Sequence, residues 1–177
     1  IMSHIFLEPT RIETNSVQLT AGQERKMELD NVTGNVAFLQ VCVRPAGATN
    51  ENNAFFNYVS LGADAQIDLK TAAGRSSFGE GVPVDDALIR DLIWPRQVGN
   101  NFMAQNACVI VPCCDSIRAA LSGVRSGGSR QYRGDRETIS IVPGAAFSSG
   151  TYQVTVYAYV FKSLHKHNGG NLVVENA

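Results

Sequence analysis

The segment TYQVTVYAYVFK, residues 151–162, indicates the fold class of this chain. In a β-strand, alternate side chains point to opposite faces. One face is apolar throughout and carries Tyr152, Val154, Val156, Ala158 and Val160. The opposite face begins polar and ends aromatic, with Thr151, Gln153, Thr155, Tyr157, Tyr159 and Phe161. Because the domain's own core covers only one face, we expect another subunit to cover the aromatic end.

Length and composition predict one domain with a sizeable core. The chain has 177 residues, of which 44% are apolar and only 18% are charged, against roughly a quarter charged in an average domain. The formal net charge of −1 predicts no overall attraction to nucleic acid or anionic membrane, so any such contact is local. We assign residues 1–177 to one domain, with residues 1–24 as an N-terminal arm or first strand.

The cysteines, together with the lack of a signal-peptide pattern or a long apolar run, indicate the compartment in which the chain is made. Cys42, Cys108, Cys113 and Cys114 lie mostly in or beside apolar runs and form no CxxC motif, so we interpret them as reduced structural thiols. Reduced thiols predict synthesis in a reducing compartment such as a cytoplasm. No signal-peptide pattern and no apolar run of about 18 residues is visible, which predicts a soluble product without a transmembrane segment.

Strand patterns recur along the chain, separated by turn residues. We predict strands at residues 17–20, 25–29, 36–44, 55–61, 66–70, 107–112, 137–142, 151–162 and 172–175. Two short helices interrupt them. Residues 83–94 place Val84, Leu88 and Leu92 at helical spacing between two prolines, and residues 115–122 begin at a capping Asp115 and end before a glycine.

Eight or nine strands with one or two short helices in loops predict an all-β, two-sheet antiparallel sandwich. The jelly roll is the natural eight-stranded version of this architecture. An immunoglobulin-like sandwich is disfavoured because Cys42, Trp94 and Cys108 do not form its framework, and an up-and-down barrel is the other alternative.

Candidate chemical sites are weak. His165 and His167 flank a lysine and lack a third ligand, and no serine-nucleophile motif accompanies any histidine, so we predict no metal, no cofactor and no catalytic residue. The acidic pair Asp85 and Asp86 suits a helix N-terminus better than glycoside cleavage. Sugar stacking on Trp94, Tyr58 or Tyr132 is possible, but core or interface packing is the simpler interpretation.

Residues 123–136 form a predicted flexible loop that is rich in glycine and arginine. Its arginines are Arg125, Arg130, Arg133 and Arg136. Guanidinium groups suit bidentate ion pairs with a neighbouring subunit, and they also suit nucleic acid or anionic lipid. We predict that these arginines, together with Tyr157, Tyr159 and Phe161, make a subunit or inner-face contact, that is, a contact with a neighbouring subunit or at the inner face of an assembly.

Several segments together resemble a viral capsid family. Residues 26–44, 65–74, 109–112 and 115–123, and then 139–143 followed by 149–159, resemble one jelly roll of the double-jelly-roll major capsid proteins. This lineage includes the capsid proteins of tailless membrane-containing bacterial viruses and the relatives of adenovirus hexon. The ending is similar to the last strands of the second, C-terminal jelly roll. The resemblance spans about residues 26–174 and depends on strand order.

The resemblance implies a structural, non-enzymatic protein that assembles into trimeric or pseudo-hexameric capsomers of an icosahedral shell in the virion. The implied partners are copies of the chain or another capsid jelly roll, with penton or membrane-associated virion proteins as further candidates. Family members carry two sandwiches, whereas 177 residues hold one, so the chain is half of such a protein or a single-jelly-roll relative. The alternative function is a carbohydrate- or receptor-binding module such as a virion spike domain.

Overall fold

The computed structural model describes residues 3–47, 58–62, 64–76, 84–85, 108–125, 127–134, 136–166 and 170–177. Within these ranges the chain forms strands and one short helix, α1, at Ile117–Leu121. The strands are β1 Ser3–Leu19, β2 Arg25–Glu28, β3 Thr33–Pro45, β4 Gln66–Lys70, β5 Val84–Asp85, β6 Val109–Pro112, β7 Arg130–Arg133, β8 Thr138–Val142, β9 Gly150–Lys166 and β10 Leu172–Asn176.

The strands form two antiparallel sheets. Sheet A has the order β1-β9-β3-β6, with β10 beside β9 and β7 beside β3, and sheet B has the order β2-β8-β4-β5. Apart from β7 and β10, the strands pair from the outside inwards: β1 with β9, β2 with β8, β3 with β6, and β4 with β5. This is a long hairpin wound into two sheets, which is a jelly roll. The predicted all-β sandwich is confirmed.

The core lies between the two sheets and follows from the alternation of side chains along each strand. Sheet A contributes inward-facing aliphatic residues from β3, β6 and β9, and sheet B contributes them from β2, β4 and β8. Members of this core include Leu39, Val41, Val43, Val109, Val111, Val154, Val156, Met27, Ile67, Leu69, Ile139 and Ile141. Each is at most 5% exposed, so the two sheets exclude water from their interface.

β1 is much longer than the predicted strand at residues 17–20. It pairs with β9 from Ser3 opposite His165 to Leu19 opposite Gly150. A β-bulge between Thr14 and Val17 shifts the register, so Ile12 and Val17 face the core although their numbers differ in parity. Because of this register shift, inward-facing side chains do not alternate regularly along β1, and regular alternation is the pattern from which a long strand is predicted.

Other predictions differ in detail. Residues 58–61 of the predicted strand 55–61 are not a strand, since Val59 donates one backbone hydrogen bond to Val43 O, at 2.7 Å, outside any ladder. The rest of that segment lies outside the described residues. In the predicted helix 83–94, residues 84–85 form β5, and residues 86–94 are likewise not described. The second helix is confirmed, but Ser116 caps it instead of Asp115, with its Oγ accepting from Ala119 N at 3.2 Å.

Candidate assembly surface

One end of sheet A extends past the core as a three-stranded ribbon. We call it the flange: residues 3–6 of β1, 162–166 of β9 and 172–176 of β10. β9 is central, with His4 and Val174 opposite Leu164 on its two sides. The inward-facing side chains of β9 join the core only as far as Val160, so the flange continues the sheet without that packing.

The core-side face of the flange is open and carries both apolar and polar side chains. Side chains with the parity of Val160 in the ladder lie on this face. The apolar ones are Phe6, Leu164, Leu172 and Val174, and the polar ones are His4, Lys162, Lys166 and Asn176. Leu172 is 66% exposed and Val174 is 51% exposed, and Phe6 and Leu164 are half-buried. Within the described residues β10 pairs only with β9, so its other edge has no strand partner. An open edge beside exposed aliphatic side chains is typical of a contact surface.

Where the flange begins, the opposite face of β9 is covered by the chain itself. Phe161 is fully buried in a second apolar cluster with Ala37, Phe38, Ile110, Cys114, Ile117 and Ala120. α1 contributes Ile117 and Ala120, and the Arg125 Cζ lies 5.8 Å from the centroid of the Phe161 ring. The expectation that another subunit covers Phe161 was therefore wrong, because α1 packs there.

The two predicted tyrosines lie farther along the outer face of sheet A and are half-buried. Tyr159 stacks on Phe38 with ring centroids 4.2 Å apart and an interplanar angle of 18°. Its hydroxyl donates to Gln40 Oε1 at 3.0 Å. Desolvation raises the pKa of Tyr159, so its phenol stays neutral. Tyr157 lies opposite Gln40 in the ladder and extends this polar and aromatic strip.

The predicted arginine loop is partly a strand. Residues 130–133 form β7 and pair with residues 33–36 of β3. Arg130 makes a bidentate ion pair within the chain, since its Nε and Nη2 donate to the two carboxylate oxygens of Glu137 at 3.2 and 3.1 Å. This contact engages the guanidinium group that was expected to bind a neighbour, and the sequence did not reveal it because it depends on the pairing of β7.

The other three arginines are exposed. The Arg133 Nη2 donates to Gln131 Oε1 at 3.2 Å, and Arg136 forms no ion pair with any described residue. Arg125, as noted above, lies over Phe161. Arg125, Arg133 and Arg136 are therefore available at the surface, whereas Arg130 is half-buried and paired.

The described residues contain no group of three or more histidine, cysteine, aspartate or glutamate side chains that would hold a metal ion. His165 Nε2 is 2.7 Å from Ser163 Oγ, and its predicted companion His167 is outside the described ranges, as are Asp86, Trp94 and Asp135. In the part of the chain that is described, no helix is both long and apolar enough to cross a bilayer.

Two solved structures from viral capsids are similar to this chain. One is a quasi-atomic model of the PBCV-1 virus capsid, with a TM-score of 0.62 and 13% sequence identity. The other is a crystal structure of PBCV-1 VP54 fitted into a cryo-EM reconstruction of the virophage Sputnik, with a TM-score of 0.63 and 11% identity. Both alignments cover 99% of this chain. The fold is similar to a viral capsid jelly roll.

At these identities the likeness is one of fold, and it confirms at that level the resemblance to capsid jelly rolls seen in the sequence. The alignments cover 52% of each capsid chain, so this chain spans about half the length of those proteins. No family model matches the sequence, and no curated protein matches it.

The flange was not foreseen from the sequence. Residues 172–175 were predicted as a strand, but nothing in them shows that they pair with residues 162–166 of β9. The available signal was the short apolar run of Leu172, Val173 and Val174, which follows a strand that still carries an apolar residue at Leu164. That pattern indicates a strand with an apolar face, and only the pairing places this face beyond the core.

Proposed function

We propose that this chain is a structural subunit of a viral capsid whose jelly roll packs against neighbouring jelly rolls. The observation that carries the proposal is the alignment of 99% of the chain with about half of a PBCV-1 capsid chain. A fold alone does not define a function, so the proposal also depends on a surface suited to assembly. The flange provides that surface.

The flange is the proposed lateral contact. Leu172 and Val174 expose aliphatic surface, and burying it against a second jelly roll is favourable by roughly 25 cal/mol per Å² of apolar area. The unpaired edge of β10 also offers backbone donors and acceptors to the neighbour. In this proposal the neighbour is a copy of this chain or a related capsid jelly roll, and closure of these contacts around an axis gives trimeric or pseudo-hexameric capsomers.

Polar residues of the outer surface have a secondary role in the proposal. Tyr157, Tyr159, Arg125, Arg133 and Arg136 contribute to subunit or inner-face contacts, where tyrosine and arginine are the side chains enriched in interfaces. Arg130 and Phe161 act indirectly, through the Glu137 ion pair and the packing of α1. Penton or membrane-associated virion proteins are further partners, and the protein's place is the virion after synthesis in the host cytoplasm. Its role is structural, with no catalytic step.

Assembly of purified chains tests this proposal. We expect size-exclusion chromatography with light scattering to give trimers or larger particles for the wild-type chain, and we expect Val174→Lys to weaken association by about tenfold or more because it places a charge in a buried contact. Val124→Lys is the matched control, since Val124 is a valine with 45% exposure on the α1 side of sheet A, against 51% for Val174. Equal loss in both variants, or no loss in either, would contradict the role of the flange.

A further inference from the structure

Two cysteines lie directly against each other on the outer face of sheet A. The Sγ atoms of Cys42, in β3, and Cys108, just before β6, are 2.7 Å apart, although the residues are 66 positions apart in sequence. Both are free thiols and are buried, with 3% and 5% exposure. The sequence suggested only isolated structural thiols, because no short motif joins these two positions.

The ladder between β3 and β6 explains why they meet. Phe38, Leu39, Gln40 and Val41 lie opposite Pro112, Val111, Ile110 and Val109. One further step in the same antiparallel register places Cys42 opposite Cys108. Directly opposed residues in antiparallel strands have Cα atoms about 4.5–5.5 Å apart, and a disulfide accepts Cα separations of about 4.4–6.8 Å. A bond between these sulfurs therefore needs no change in strand pairing.

The surroundings favour one of the two thiols as the nucleophile. A hydrogen bond from Cys42 lowers the pKa of Cys108, burial opposes this shift, and a hydrogen bond from Gln40 adds to the lowering. The same contact with Cys108, together with burial, raises the pKa of Cys42. Gln40 is held in place, since its Oε1 accepts from the Tyr159 hydroxyl at 3.0 Å. Cys108 is therefore the more acidic of the two adjacent thiols, and Cys42 is the one that keeps its proton more strongly.

We propose that Cys42 and Cys108 form an oxidative cross-link site that joins β3 to β6 when the protein meets a peroxide. The Cys108 thiol loses its proton and its sulfur attacks hydrogen peroxide. The O–O bond breaks, Cys108 becomes a sulfenic acid, and the leaving hydroxide takes up that proton to become water. Cys42 sulfur then attacks the Cys108 sulfur, the S–O bond breaks, and the Cys42 proton leaves with the hydroxyl group as water. Two thiols are oxidised to one disulfide, and peroxide is reduced to two molecules of water.

The other two cysteines do not offer this reaction. Cys113 and Cys114 are sequence neighbours, and their side chains belong to different apolar clusters, with Cys113 packed against the core and Cys114 in the cluster beneath α1. Loss of hydration raises the pKa of Cys113 to about 12, which keeps it a thiol at neutral pH. They therefore serve as an internal comparison.

The cross-link would stabilise the fold by restricting the unfolded chain, because it closes a long loop. The chemistry does not depend on the proposed capsid function. Its consequence for such a role is a subunit that becomes more stable when it leaves a reducing cytoplasm.

Peroxide treatment of the whole chain tests the inference. We expect mass spectrometry, after denaturation and blocking of free thiols with N-ethylmaleimide, to find a peptide pair joined through Cys42 and Cys108. We expect the melting temperature to rise by roughly 5–15 °C and to return to its starting value with dithiothreitol. Cys42→Ala and Cys108→Ala should each abolish the rise, whereas Cys113→Ala should retain it.

Two results would overturn the inference. One is oxidation confined to Cys113 and Cys114, with no joined peptide from Cys42 and Cys108. The other is a joined peptide in a protein whose melting temperature does not rise. The peptide analysis uses the wild-type chain, so it decides the point even where an alanine variant folds poorly. Assembly measured by light scattering is a separate readout, which keeps failure of the cross-link distinct from failure of the proposed function.

Discussion

At the residue scale, the hydroxyl of Tyr132 is a buried polar group whose oxygen has no hydrogen-bond partner among the described residues. Tyr132 is 3% exposed and packs in the core. An unsatisfied buried hydroxyl costs about 1–3 kcal/mol. We therefore expect Tyr132→Phe to raise the free energy of unfolding by about 1 kcal/mol, measured by urea denaturation.

Tyr152 supplies the matched control for this substitution. It is also buried, at 8% exposure, but its hydroxyl donates to the Ser148 carbonyl oxygen at 2.5 Å. Tyr152→Phe should lower the free energy of unfolding by about 1 kcal/mol, because Ser148 O loses its donor. Destabilisation of similar size in both variants would show that Tyr132 has a partner after all.

The hydrogen bonds of Glu24 make the stability of the fold depend on pH. A hydrogen bond from Lys70, and then one from Ser140 Oγ at 2.5 Å, lower the pKa of Glu24 from 4.5 to about 2. Because the folded pKa lies below the unfolded one, the carboxylate stabilises the fold fully above about pH 4.5. That contribution is lost as the pH falls through about 2.

We expect Glu24→Gln to cost about 0.5–1 kcal/mol at pH 6, a modest value because water screens this partly exposed side chain. The difference from wild type should shrink as the pH approaches 2. Urea denaturation at several pH values measures the difference, with Glu28→Gln, at the far end of the adjacent strand β2, as a control. A cost of Glu24→Gln that stays constant between pH 6 and pH 2 would contradict this assignment.

The sequence predicted side-chain burial better than side-chain partners. Alternation along residues 151–162 correctly placed Val154, Val156 and Val160 in the core. The same pattern showed that Phe161 must be covered, but it did not show whether α1 or another subunit covers it. Partners such as Glu137 for Arg130 depend on which strands become neighbours, and a single sequence does not contain that information in a local pattern.

At the element scale, the turn after α1 sets how closely the helix approaches β1. Gly123 has a φ of +78°, and a Cβ added there would lie 2.4 Å from Ile5 O. We expect Gly123→Ala to lower the free energy of unfolding by about 2 kcal/mol or more, because it adds backbone strain and a clash with the backbone of β1. Chemical denaturation measures the change.

Gly128 is the control for the backbone strain alone. Its φ is +84°, but a Cβ there would meet no atom within 4 Å. Gly128→Ala should therefore cost about 1 kcal/mol, which is the penalty of the left-handed conformation without the clash. If both alanine variants cost the same, the close approach of α1 to β1 is not a tight contact.

Elements with a regular pattern were predicted well, and elements with an interrupted pattern were not. Residues 66–70 were predicted with the bounds of β4, and α1 was predicted within two residues at its start. For β1, only residues 17–20 were predicted as a definite strand, and residues 1–24 were left as an arm or a first strand, because the bulge changes the alternation. β7 was interpreted as a loop because its arginines and flanking glycines favour exposure, and its pairing with β3 overrides those preferences.

At the scale of the whole molecule, the order in which the strands pair forms the jelly roll, and the pairing of β10 with β9 forms the flange. Eight strands that pair from the outside inwards produce two sheets with one core. The sequence indicated that architecture through strand number and spacing, and the solved PBCV-1 capsid structures have a similar fold over 99% of the chain. The flange depends on the pairing of β10 with β9. The sequence did not indicate it, because nothing in the residues of β10 shows which strand they pair with.

The mass of the wild-type chain in solution tests the central claim most directly. Light scattering over a range of concentrations distinguishes a 19.1 kDa monomer from a closed assembly. The proposed contact of exposed flanges predicts trimers or larger particles, with electron micrographs showing uniform objects. A chain that stays monomeric at every concentration, with and without a related jelly roll, would contradict a shell-forming function.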